Sequence, residues 1–175
     1  TKSFEFNALT NLGQPLRTTV LILLAIAAWA KAAQVPFYTW LPDAMEAPTP
    51  VSAYLHAAAM VKAGVYLLAR VVLSSYPTLS VGNGLVIAIA ALVTMFVGVF
   101  LYFFQDDLKR LLAFSTIVQL AFILFGVSLG IMGSSLGFRG GVLHIACHAV
   151  AKGLLFLSVG AIAYATGTKS IKILS

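Results

Sequence analysis

Charge is what this sequence has least of. Only 9% of its 175 residues are Asp, Glu, Lys or Arg, and 61% are hydrophobic; a soluble domain carries about 25% charged residues. No water-facing surface can be built from so little charge, so the solvent for this chain is lipid. Cysteine is almost absent too. Cys147 stands alone, which excludes an internal disulfide and any Cys-rich metal or iron–sulfur site. Acids are scarcer than bases, and all five (Glu5, Asp43, Glu46, Asp106, Asp107) fall in tails or turns. There is no flavin, quinone or iron–sulfur motif, so no cofactor is expected in this chain. There is also no dinucleotide-type glycine motif, 20–50-residue repeat, heptad or signal-peptide pattern. The net charge of +6 does not point to nucleic acid, because Lys and Arg collect at helix ends in membrane proteins.

What is present is a series of long apolar runs. They predict an all-α membrane protein with five transmembrane helices in one domain over 16–165. A polar lead-in over 1–15 and a polar tail over 166–175 flank it. The first span starts near Leu16, passes Lys31 and is broken at Pro36, which lacks a backbone donor and frees the carbonyl of Ala32. Residues 37–45 are expected to form a second half-helix, with its irregular backbone satisfied by protein or water. Later spans are predicted near 51–73, 85–104, 111–132 and 138–165, separated by turns at 74–84, 105–107 and 133–137. Threading them places Arg17, Arg70 and Arg139 on one side, joined by Lys2 if the N-terminal stretch is not itself inserted, and Lys109, Arg110, Lys169 and Lys172 on the other. Four against four sets no orientation. Both ends are expected to be cut from a longer protein.

Three lysines, Lys31, Lys62 and Lys152, fall well inside spans. Each costs roughly 2.5–3.5 kcal/mol at the helix centre, and together they approach a whole domain's stability. His144, His148 and Lys152 follow an i, i+4, i+8 spacing, which puts three titratable groups on one helix face about 6 Å apart per step. Neutral histidine both donates and accepts, and desolvation disfavours the charged form of a buried lysine. Such a ladder can pass protons, with waters bridging its gaps. The competing reading is helix packing. Zinc binding by His144 and His148 is a further alternative, although it needs a third ligand, no HExxH glutamate is present, and Cys147 points elsewhere on the helix.

Lys31 lies near the end of a half-helix, where the dipole favours a cation; snorkelling to the interface is its alternative. Lys62 and His56 are six residues, about 600°, apart and look toward different neighbours. Ser115, Thr116 and Gln119 cluster on the fourth span. They either hold water near the ladder or make ordinary interhelical hydrogen bonds. Lys109 and Arg110 read as interfacial anchors neutralised by Asp106 and Asp107. A buried lysine pathway normally needs a carboxylate, and none lies within the spans.

The run from Lys31 through Gln34, Pro36, Trp40, Pro42, Asp43, Glu46 and Pro48 to His56 resembles the signature of antiporter-like proton-conducting membrane subunits. These occur in respiratory complex I, Mrp-type Na+/H+ antiporters and membrane-bound hydrogenases. The continuation from Ala57 through Lys62 to Arg70 resembles it as well, as do the segments Asp107–Ser115 and His144–Lys152. The resemblance implies a larger inverted-repeat antiporter-like fold of which this chain is an internal part. It also implies proton-transfer roles for Lys31, His56 or Lys62, and His144, His148 and Lys152, with the family's glutamate outside this chain.

The function expected from sequence is proton translocation as a subunit of a redox-driven pump of the NADH:quinone oxidoreductase or hydrogenase type. The alternatives are a Mrp-type Na+/H+ antiporter subunit without redox coupling and a non-transporting structural subunit. Whether such a subunit counts as part of an enzyme depends on its partners, since no redox centre lies in this chain. Expected partners are other membrane subunits, the lipid bilayer, protons and Na+, with no nucleic acid. A multi-pass location in a prokaryotic inner membrane follows.

Overall fold

The computed structural model describes residues 12–57, 59–75 and 79–174; Lys2, Glu5 and most of the polar lead-in lie outside them. The described chain is helical: α1 (Gln14–Lys31), α2 (Trp40–Asp43), a 3-10 turn (Ala44–Glu46), α3 (Thr49–Ala57), α4 (Met60–Ser75), α5 (Val81–Tyr102), α6 (Leu108–Ile131), α7 (Ser135–Thr166) and α8 (Ile171–Leu174). Four stretches are long and apolar enough to cross a membrane: Thr49–Leu73, Val81–Tyr102, Leu108–Ile131 and Ser135–Thr166. The expected first span is not among them; the 18-residue α1 carries Arg17 near its start and Lys31 at its end. None of the acids in the described residues falls inside those four stretches.

The first break differs from the one predicted. α1 stops at Lys31, five residues before Pro36. Ala33 adopts a positive φ of 51°, which no helix continues through. The freed backbone is satisfied by side chains. Trp29 Nε1 donates to the Val35 carbonyl at 2.8 Å, Trp40 Nε1 to that of Ala30 at 3.2 Å, and Gln34 Nε2 to that of Ala32 at 2.8 Å. Thr94 Oγ1, on α5, accepts from Val35 N at 3.3 Å. The second half-helix is shorter than predicted, reduced to the four residues of α2 and the 3-10 turn.

A second break was not predicted at all. The 51–73 span is two helices, α3 ending at Ala57 and α4 beginning at Met60, with Ala59 N reaching five residues back to Tyr54 O at 3.3 Å. α5 starts earlier than predicted because the Ser80 side chain caps it, accepting from Asn83 N. α7 runs 32 residues without interruption from its Ser134 cap to Gly167, whose φ of 71° ends the helix as glycine at that position commonly does.

α6 is the spine. It packs against α5, α7 and α4, while α3 packs on α7 and α1 on α4. Close approach depends on small residues, as in other membrane bundles. A Cβ on Gly64 would sit 2.5 Å from Ala28 O and 2.7 Å from Ala32 N, and Gly126 and Gly141 meet with similar closeness between α6 and α7. The start of α6 is tied to the tail. Asp107 accepts from Lys109 N and Arg110 N, Leu108 N donates to Lys169 O, and Ile171 N donates to Asp106 O.

The predicted neutralisation of Lys109 and Arg110 by Asp106 and Asp107 takes a different form. Arg110 faces Glu46 at 3.8 Å, Asp107 pairs with Lys169 at 3.2 Å, and Asp106 accepts from Ser170 Oγ. Lys109 is no exposed anchor: it is buried, with Nζ donating to Ala47 O at 3.0 Å.

Candidate functional site

The uninterrupted α7 keeps the i, i+4, i+8 register that the sequence predicted. His144, half-buried, and His148 and Lys152, buried, share one face turned into the bundle. The His144 and His148 rings are stacked with centroids 6.3 Å apart. His144 Nε2 meets Gln119 Oε1 of α6 at 2.7 Å, and Phe122 meets its ring edge-on. Lys152 Nζ donates to the Leu112 carbonyl of α6 at 3.0 Å. That same carbonyl accepts from Thr116 Oγ1 at 2.8 Å.

α3 and α4 bring two more ionisable groups to the ladder. His56, fully buried, stacks at a tilt on Phe156 of α7 with centroids 4.8 Å apart, and lies within electrostatic reach of Lys152. Lys62, buried on α4, comes within electrostatic reach of His148. His56 and Lys62, on either side of the break between Ala57 and Met60, both come within electrostatic reach of His148. Both ring nitrogens of His56 and of His148 are buried without a hydrogen-bond partner among the described residues. An unsatisfied buried polar group costs about 1–3 kcal/mol.

The structure thus unites His56, Lys62, His144, His148 and Lys152 from three helices, α3, α4 and α7, with Gln119 and Thr116 of α6 beside them. Gln119 and Thr116 make direct hydrogen bonds, and Ser115 is half-buried nearby. Lys31 is not part of this cluster. It lies exposed in the last turn of α1, in a shallow outward depression lined also by Phe37, Trp40 and Met60. Pro36 sits in the connection that follows it. Among the described residues no three His, Cys, Asp or Glu side chains gather as a metal-binding set.

Sequence reasoning missed Phe156 and the Leu112 carbonyl. Both become visible only once α6 and α3 are known to pack on α7, although Phe156 lies four residues beyond Lys152 on the same helix face.

The matched family is described as NADH:quinone oxidoreductase/Mrp antiporter, TM, and the match takes in residues 1–175. The chain belongs to this family. Among relatives, the Na(+)/H(+) antiporter subunit A1 of Staphylococcus haemolyticus is 45% identical over 170 residues, covering 90% of this chain and 21% of the relative. The subunit of the same name from Staphylococcus aureus is 42% identical over the same length. The chain spans about a fifth of the length of these curated relatives.

A solved structure titled as the Mrp complex from Dietzia sp. DQ12-45-1b matches 89% of this chain and 17% of its own, with a TM-score of 0.79 at 43% identity. This NADH:quinone oxidoreductase/Mrp antiporter family member is an integral membrane protein with the all-helical antiporter-like fold. The two staphylococcal relatives carry the antiporter name, not that of a redox-driven pump.

Proposed function

We propose that this chain is the proton-conducting core of a Mrp-type Na+/H+ antiporter subunit, without redox chemistry of its own. The observation that carries this reading is the buried histidine–lysine cluster. Three helices, α3, α4 and α7, bring His56, Lys62, His144, His148 and Lys152 together so that neighbouring members lie within electrostatic reach along one face of α7. Lysines at bilayer depth are too costly to serve as filler. The antiporter names of the relatives and the Mrp title of the similar solved structure favour exchange over a redox-driven pump.

In this reading a proton arrives at Lys62 or His56 and moves to His148 or Lys152 through bridging water. The histidines both accept and donate at neutral pH. Lys152 releases its proton when its ammonium exchanges the Leu112 carbonyl for a neighbour. The sodium route and the carboxylate lie outside this chain, in the rest of the subunit or in other membrane subunits.

The test uses the full-length subunit in its complex, in everted vesicles with a ΔpH-sensitive dye and no redox donor. Sodium addition is expected to dissipate the gradient. Lys152→Met is expected to reduce that response to the background of vesicles without the subunit, at normal assembly. Wild-type exchange by an assembled Lys152→Met complex would overturn the reading. Proton movement that required a redox donor would return the chain to the redox-driven class.

A further inference from the structure

Among the described residues, one end of the bundle carries three arginines and none of the acids. Arg17 lies in the first turns of α1, Arg70 near the end of α4 and Arg139 near the start of α7. Asp43, Glu46, Asp106 and Asp107 all belong to the opposite end, where α6 begins and Arg110 and Lys169 meet them. Among the described residues the Arg17 guanidinium makes no hydrogen bond or ion pair.

Beside Arg17 the surface opens into a slot of about 290 Å³ between α1, α4 and α5. Arg17, Leu21 and Ala25 line it at i, i+4, i+8, so it runs about 12 Å along α1 into the apolar depth. Leu68 and Val71 of α4 form one wall, and Ile87 of α5 faces them. Its polar lining groups, Arg17, Thr18 and Asn83, gather at the outer end, in the first turns of α1 and α5.

We propose that this slot binds an anionic phospholipid of the surrounding bilayer, with the phosphate on Arg17 and one acyl chain lying inward along Leu21 and Ala25. The gradient of the slot, cationic and polar at the mouth and wholly apolar beyond it, is that of a phospholipid read from headgroup to tail. The planar guanidinium matches phosphate oxygens in a two-bond geometry, and its apolar stem lies along hydrocarbon. Asn83 places an amide where it can donate to the same headgroup.

Native mass spectrometry of the detergent-purified full-length complex, titrated with phosphatidylglycerol or phosphatidylcholine, tests the site. The wild type is expected to retain phosphatidylglycerol several-fold better than phosphatidylcholine. Arg17→Gln is expected to remove that preference while leaving phosphatidylcholine retention unchanged. Ala25→Phe, which plugs the slot, is expected to lower both. A photo-crosslinking residue at Ile22, which also lines the slot, is expected to label lipid. Undiminished preference in a well-folded Arg17→Gln complex would overturn the proposal. So would crosslinks from position 22 that run to another protein segment, which would mean that protein covers the slot.

Discussion

Lys152 Nζ and Thr116 Oγ1 share one acceptor, the carbonyl of Leu112, at 3.0 and 2.8 Å. The two side chains come from facing helices, so a single backbone oxygen of α6 anchors the end of the α7 ladder. The hydroxyl's bond stays within its own helix turn, whereas the ammonium's bond crosses between helices. Thr116→Val keeps the shape and removes only the hydroxyl bond. It is expected to cost about 1 kcal/mol, seen as a small fall in the detergent thermal midpoint, with Na+-driven proton flux retained. Lys152→Met, of similar length, is expected to keep the midpoint near wild type and lose the flux. Equal loss of flux in both variants would show that anchoring of the carbonyl, and not the lysine's proton, is what matters.

Gln119 fixes His144 by a 2.7 Å bond between α6 and α7. Gln119→Leu keeps the bulk and leaves the ring nitrogen without its partner. The expected cost is about 1–3 kcal/mol, together with slower exchange, because the His144 ring is then free to turn away from His148. Thermal unfolding and the initial rate of sodium-driven flux measure the two effects separately. Wild-type values for both would remove His144 from the pathway.

These two residues show what the sequence could disclose. The α7 ladder was legible because 3.6-residue periodicity on an unbroken helix fixes which side chains share a face. The interhelical role weighed for Gln119 is the one the structure displays. The breaks were harder to place. Pro36 signalled an interruption, but the helix ends five residues earlier, at an Ala-Ala pair that by propensity alone would continue it. The turn between His56 and Lys62 left no mark, since Ala57 and its neighbours are good helix formers. Lys109 was misread for a related reason. Its partner, the carbonyl of Ala47, lies 62 residues away and carries no side-chain signal.

Gly64 marks the tightest crossing of α1 and α4. Its neighbours at 2.5 and 2.7 Å from a built Cβ are backbone atoms of Ala28 and Ala32, which cannot swing aside as a side-chain tip can. Gly64→Ala is expected to destabilise by about 1–3 kcal/mol, the usual cost of overpacking. Gly140, on α7, meets nothing within 4 Å. There the same change gains helix propensity of roughly 0.5–1 kcal/mol. A fluorescence-detected thermal shift on both variants is expected to move in opposite directions. A fall for Gly140→Ala would place an unseen neighbour against that face of α7.

Thr94 connects α5 to the break that follows Lys31. Its hydroxyl donates to Ala90 O at 3.0 Å and accepts from Val35 N at 3.3 Å. Val35 N has no helical acceptor, because the chain has already left α1. Thr94→Val orphans that donor in a buried setting, at an expected cost of about 1–3 kcal/mol. Thr94→Ser restores an oxygen at the same place. If Lys31 takes part in proton transfer, its position depends on how this connection is held. Exchange is then expected to fall in Thr94→Val and to recover in Thr94→Ser, while Lys31→Met is defective whichever residue stands at 94. Stability lost in Thr94→Val with exchange unchanged would separate the break from transport and leave the α7 ladder, with His56 and Lys62, as the conducting unit.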